Sequence, residues 1–182
     1  GNNLISSWNK SWIKLPRMIS QKLASIIKSK KDEVYVGSST SINLFKLIKS
    51  ILQSNKSIKN ISTDNLNFPS DKYICELIAK DFKIDFNFLD YGSDLMADIE
   101  QLKEFIKEKR GIIVLSHVAF KSSYRYPIKE ISKFCKDNNT IVIWDLSHSI
   151  GAIDINMELN QVDYAIGSVS YTQLTLPTKS GV

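Results

Sequence analysis

One run of the sequence restricts the possible folds more than any other. Thr140-Ile141-Val142-Ile143-Trp144 is uncharged, and every residue in it is β-branched or aromatic. A half-exposed strand would alternate apolar with polar residues, so this run predicts a strand buried on both faces, as in a parallel sheet covered by helices. Its end carries chemistry. Asp145 stands at the carboxyl end and His148 three residues on, and open α/β sheets hold ligands in the crevice beyond the carboxyl ends of their strands. A turn or capping aspartate and an ordinary loop histidine would look the same, so other segments must decide.

A second apolar run, Gly111-Ile112-Ile113-Val114-Leu115, ends in Ser116-His117. Residues 57–63 predict a short strand, residues 33–36 another, and over residues 83–89 Ile84, Phe86 and Phe88 share one face of a half-exposed strand. Amphipathic segments lie between these runs. Residues 17–30 put Met18, Ile19, Leu23, Ile26 and Ile27 on one helical face, and the helix after the turn at 37–41 does so with Ile42, Phe45, Ile48 and Leu52. Further helices are predicted from Ser70 or Asp71 onward, over residues 94–109 with Leu95, Ile99, Leu102 and Ile106 on the stripe, and from about Pro127 to Asp137. Strand and helix therefore alternate, with four or five strands. That order predicts an α/β fold of three layers, a mainly parallel sheet with helices on both faces.

Gly37-Ser38-Ser39-Thr40-Ser41 offers free backbone N–H groups, hydroxyls and the positive end of a helix dipole. Those features suit a phosphate, although an ordinary N-cap uses the same residue types. With Ser116-His117 and with Asp145 and His148, this turn makes a third polar strand end at one edge of the sheet. Unrelated turn residues would not be expected to gather there.

The net charge is +5, but of the 24 basic residues only Arg17, Arg110 and Arg125 are arginine. The lysines are spread among acids such as Glu100, Glu104 and Glu108, the pattern of a solvated surface, so no nucleic-acid partner is expected. No run approaches the ~18 apolar residues of a membrane span, and no signal-peptide pattern opens the chain, which predicts a cytoplasmic protein without a membrane partner. Cys75 and Cys135 lie far apart in helical contexts and predict two buried, reduced thiols. His117 and His148 have no cysteine or further histidine beside them to complete a metal site, so no metal is expected.

These motifs, in this order, resemble those of kynureninase, a fold-type I pyridoxal-phosphate enzyme of the class V aminotransferase-like superfamily. The resemblance is carried by EVYVGSSTSINLFK at residues 33–46, Asn67-Phe68-Pro69-Ser70-Asp71, Leu115-Ser116-His117-Val118 and WDLSHSIGA at residues 144–152. Ser7-Trp8-Asn9 and Trp12-Ile13 also look like its bacterial members, and the similarity extends over residues 4–168. The Asp-x-x-His-x-x-Gly element is shared with cysteine desulfurases and other class V relatives, whereas Phe-Pro-Ser-Asp and Ser-Thr-Ser-Ile-Asn-Leu are more particular to kynureninase.

Carried over residue by residue, the resemblance implies that Thr40 and Ser41 hold the phosphate of pyridoxal 5'-phosphate. It implies that Phe68 stacks on the pyridine ring with Ser70 and Asp71 beside it, that Ser116 also contacts the cofactor, and that His148 supports the ring and Asp145. Asp145 would be the catalytic carboxylate. Opposite the pyridine nitrogen it keeps that atom protonated, and the charged ring withdraws electrons from the substrate's α-carbon. The implied reaction is hydrolysis of L-kynurenine, or 3-hydroxykynurenine, to anthranilate, or 3-hydroxyanthranilate, and L-alanine. Its place is tryptophan catabolism and NAD biosynthesis, and the implied assembly is a homodimer.

In that family the strand resembling residues 163–168 runs on into Thr-Tyr-Lys-Tyr-Leu-Asn, whose lysine carries the cofactor. Here the matching positions read Val169-Ser170-Tyr171-Thr172, with Tyr171 where the lysine is expected, and Lys179 follows eight residues late. Residues 169–178 resemble a translated sequencing-adapter peptide. The expected organisation is a partial cofactor-binding large domain over residues 1–168 and a foreign tail over 169–182, with no activity in the chain as it stands. The competing readings are a cysteine desulfurase or class V aminotransferase relative, and a non-catalytic remnant that keeps only phosphate affinity.

Overall fold

The computed structural model describes residues 12–168. Five strands, β1 (Asn60–Asp64), β2 (Asp85–Leu89), β3 (Ile112–Ser116), β4 (Ile141–Asp145) and β5 (Tyr164–Ile166), form one sheet in the order β2-β1-β3-β4-β5. Every neighbouring pair is parallel, with Ser116 level with Asp145 across β3 and β4. The two uncharged runs are the central strands, as their lack of alternation requires. β3 is buried at all of its positions and β4 at all but the first. β2 lies at the sheet's edge among the described residues, and its burial does not follow the alternation of its sequence: Phe86 and Asn87 are both half-buried and Phe88 is exposed.

Five helices follow the amphipathic segments: α1 (Leu15–Ile27), α2 (Thr40–Ser54), α3 (Pro69–Phe82), α4 (Ile99–Glu108) and α5 (Ile128–Asp137). Two separate cores show how they are layered. Leu44, Ile48 and Ile51 of α2 and Cys75, Ile78 and Ala79 of α3 pack with Ile61, Ile112, Val114, Ile143 and Ile166. Leu102 and Ile106 of α4 and Ile131 and Cys135 of α5 pack with Ile113, Leu115, Val142 and Trp144. Adjacent strand residues fall into different cores, so α2 and α3 cover one face and α4 and α5 the other. Both cysteines are buried and unpaired, and burial raises both thiols, Cys135 to about 12.

Several elements depart from the sequence expectation. Residues 33–36 form no strand. Val34 and Val36 are half-buried and Tyr35 is exposed, so the alternation is present, but among the described residues no strand lies alongside to pair with it. The segment is an extended connector into α2. In α1 the buried line is Ser20, Ala24 and Ile27, spaced four and three residues apart, while Met18, Ile19 and Ile26 of the expected face are exposed. The helix after β2 begins at Ile99, where Asp98 accepts from the amides of Glu100 and Gln101; Leu95 lies before it in a left-handed conformation (φ 50°), off the stripe. In α2 the buried residues are Leu44, Ile48, Ile51 and Leu52, and Ile42 is exposed. Among the described residues no helix is long and apolar enough to cross a membrane.

Candidate active site

Side-chain alternation decides which polar ends can meet. In β4, Val142 and Trp144 face α4 and α5, so Ile143 and Asp145 face α2 and α3; in β3, Val114 and Ser116 face the same way. Five residues separate the end of α2 from the start of β1, so α2 returns antiparallel to the strands and its first turn lies towards their carboxyl ends. Asp145, Ser116 and the start of α2 therefore share one face and one edge.

At the start of α2, Ser39 is the N-cap and its hydroxyl accepts from the amide of Ile42 at 3.3 Å. Capping thus falls to Ser39. The amides of Thr40 and Ser41 donate to no group among the described residues, which leaves them open at the positive end of the helix dipole.

The loop after β1 is the most closely bonded part of the edge. Asn67 is buried; its amide donates to Thr63 Oγ1 at 2.9 Å and to the Val114 carbonyl at 3.2 Å, and its carbonyl oxygen accepts from the Ser116 hydroxyl. It ties the end of β1 to the end of β3. The Ser116 proton is spent on this bond, so towards a ligand Ser116 offers an acceptor. Phe68 follows as the N-cap residue of α3, 38% exposed, with its ring edge-on to Phe120 at 5.2 Å.

Asp71, in the first turn of α3, is 1% exposed and its Oδ2 is buried with no partner among the described residues. Burial, and then the like charge of Asp145, push its carboxyl up to about 7. Ser70 donates to Asp71 Oδ1 across a long 3.4 Å. Asp145 is 4% exposed and is also raised by burial, against hydrogen bonds from Ser147 and the charge of His148. The amide and hydroxyl of Ser147 donate to Asp145 Oδ1 at 2.9 and 2.6 Å, while Oδ2 accepts from no group among the described residues. The edge thus brings together two buried carboxyls, each with an oxygen left open.

Of the residues singled out from sequence, Asp145, Asp71, Ser70 and Ser116 lie on this edge, with Phe68 at its rim. His148 is exposed, and close enough to act on Asp145 through its charge. His117 belongs to the other face. Its ring is buried edge-on to Trp144 at 6.2 Å with neither nitrogen partnered among the described residues, and burial lowers it to about 4. Among the described residues no group of three or more metal-binding side chains forms. Ser170, Tyr171 and Lys179 lie outside the described residues, as does the N-terminal motif around Trp8. Sequence reasoning passed over Asn67, Ser147 and Asp64. Asn67 and Ser147 sit inside quoted motifs, but only the fold shows that the Asn67 amide spans two strands and that Ser147 bonds Asp145.

The family model "Aminotransferase class-V" matches residues 2–169. Kynureninase from Pseudomonas fluorescens is 34% identical over 172 residues, and kynureninase from Burkholderia mallei (strain SAVP1) 31% identical over 173. Each match covers 92% of this chain and 40% of the relative, so the chain spans well under half the length of these curated relatives. Among solved structures, a cysteine desulfurase from Thermococcus onnurineus NA1 superposes with a TM-score of 0.72 at 21% identity, covering 84% of this chain and 38% of that one. A NifS-like protein gives 0.74 at 16% identity, over 85% of this chain and 43% of that one. At these identities the likeness is one of fold.

Proposed function

We infer the function from one premise: this chain belongs to the aminotransferase class-V family. We propose that it is the cofactor-binding part of a kynureninase-like enzyme, which hydrolyses L-kynurenine or 3-hydroxykynurenine to anthranilate or 3-hydroxyanthranilate and L-alanine. Pyridoxal 5'-phosphate is the cofactor, and the parent enzyme is a cytoplasmic homodimer. The kynureninase relatives at 31 and 34% identity support the reaction. The observation that carries the site is the open oxygen on each of Asp71 and Asp145, on the sheet face that α2 and α3 cover.

The residues fit the group. A buried acceptor lacking a hydrogen bond, as Asp71 Oδ2 does among the described residues, costs ~1–3 kcal/mol, and at Asp145 a cationic ring N–H is a donor that would fit the free Oδ2. Bound there, the cofactor supplies a ring that takes up electrons from the substrate's α-carbon. The protein does the rest. Ser147 fixes Asp145 Oδ1 and so aims Oδ2. The Asp145 charge holds a proton on the ring nitrogen, and His148 keeps that carboxyl lower than burial alone would leave it. Asp71, at about 7, carries a proton for part of the time near neutral pH and can donate through it. Phe68 offers its face to the ring, Ser116 an acceptor, and the open amides of Thr40 and Ser41 a seat for the phosphate.

The chain as it stands carries Tyr171 in place of the cofactor-bearing lysine, so we propose reversible cofactor binding without turnover. Titration of the full chain with pyridoxal phosphate, followed by absorbance, should saturate. Incubation with kynurenine should yield no anthranilate. Failure to bind would overturn the site, and anthranilate release would overturn the inactivity. Kynurenine, cysteine and alanine offered to a lysine-bearing parent should give product from kynurenine alone; sulfide from cysteine would favour the desulfurase reading.

A further inference from the structure

On the far side of the sheet from the open carboxyls, a third buried acid is finished differently. Asp64 ends β1, 2% exposed, with its side chain on the α4 and α5 face. Its Oδ1 accepts from the amides of Leu66 and Asn67, both at 3.0 Å, and its Oδ2 from the Tyr126 hydroxyl at 2.5 Å. Those two amides belong to the turn that delivers Asn67, and through it Phe68, to the cofactor edge. Tyr126 is itself anchored there, for its amide donates to the His117 carbonyl at 3.0 Å and its side chain is 1% exposed. The β1 end, the β3 end and the turn before α3 thus meet on one carboxylate.

We propose that Asp64 is a positioning residue: its carboxyl, clamped by Tyr126 and by the amides of Leu66 and Asn67, fixes the turn that presents Phe68. Hydrogen bonds to a charged acceptor are roughly twice as strong as those to a neutral one. Opening the turn would nonetheless admit water to a carboxyl that burial raises, so by linkage proton uptake favours the closed, clamped turn. Burial holds Asp64 at about 6, against the three hydrogen bonds that favour its charge. The groups around it are Tyr126, Tyr91 beyond β2, and, acting on Tyr91, Tyr124 and Asp98. Both Tyr91 and Tyr126 are raised well above the usual phenol range by burial first and by Asp64 second, so they stay neutral. The acid is therefore the group that changes charge within this cluster at mildly acidic pH.

The clamp needs no cofactor, and only its consequence for Phe68 rests on the proposed function. Amide hydrogen exchange at Leu66 and Asn67 in the full chain, with intrinsic rates divided out, should show protection rising about fivefold or more between pH 8 and pH 5, with a midpoint near 6. Tyr126→Phe should move that midpoint upward, and Asp64→Asn should abolish the step. Constant protection in the wild type overturns the proposal, as does an unchanged midpoint in Tyr126→Phe, which keeps the test alive should Asp64→Asn not fold. Pyridoxal phosphate affinity at pH 5.5 and pH 8 supplies the second arm. Phosphate titration is common to all variants, so the wild type should lose less affinity on acidification than Asp64→Asn; equal losses overturn the link to Phe68. Absence of binding by the wild type overturns the proposed function, and the exchange step still decides the clamp.

Discussion

Asp64 and Asp71 stand seven residues apart on either side of one turn. Both are almost fully buried and both are raised by burial, yet they are completed in opposite ways. Asp64 takes three hydrogen bonds from the chain itself. Asp71 takes one long bond from Ser70, keeps Oδ2 unpartnered and faces the like charge of Asp145. Burying a carboxylate is costly unless its lone pairs are filled. A saturated acid therefore belongs to the fold, while the unsaturated one is the place that the proposed cofactor would complete.

The largest effect that would break this contrast is on stability. Asp64→Ala leaves the Tyr126 hydroxyl and two amides without their acceptor, and is expected to cost ~3 kcal/mol by denaturant unfolding. A loss below ~1 kcal/mol would put Asp64 in the same class as Asp71. Next comes Asp145→Ala, which should weaken pyridoxal phosphate binding by ~2 kcal/mol, about thirtyfold, while leaving the far-ultraviolet circular dichroism unchanged.

Asp71→Asn should act in the opposite sense on stability. The Asp71 carboxyl rises from 3.8 to about 7 on folding. The stability linked to this group is thus complete below pH ~4 and is lost as pH rises through 7. At pH 8 the wild type bears the whole penalty, and Asp71→Asn is expected to be more stable there by ~1 kcal/mol or more. Unfolding at a series of pH values should show that gain shrinking towards pH 4. His117 runs the other way. Lowered from 6.5 to about 4, it gives stability that is present above 6.5 and lost as pH falls through 4, so acid unfolding should persist in Asp71→Asn. The smallest effect is expected at the exposed Lys28–Asp154 pair, 2.8 Å apart, where Lys28→Ala should cost no more than ~0.5 kcal/mol.

The layered fold was legible in the sequence because the central strands are uncharged throughout. Residues 112–115 and 141–144 admit few environments other than the interior of a parallel sheet, and the structure puts them there. Residues 33–36 misled for a physical reason: alternation records which side chains are half-buried, and an extended connector produces it as readily as a strand does. The exposed face of α1 misled similarly, since its apolar residues outnumber those that find a partner among the described residues. At the edge, Asp145 and Asp71 were legible through motifs, and Ser39 took the capping role that leaves the Thr40 and Ser41 amides open. Asn67, Ser147 and Asp64 were not. Their parts depend on bonds made across strands or back onto the chain after it turns, and neither kind is written in local spacing.

The central claim is that the Asp145 carboxylate faces a ring nitrogen whose phosphate is seated at the start of α2. The most direct test is the nitrogen-15 resonance of ring-labelled pyridoxal phosphate bound to the full chain at pH 8. The expected result is a protonated ring nitrogen in the wild type and an unprotonated one in Asp145→Ala. An unprotonated nitrogen in the wild type, or the same resonance in both, would contradict it.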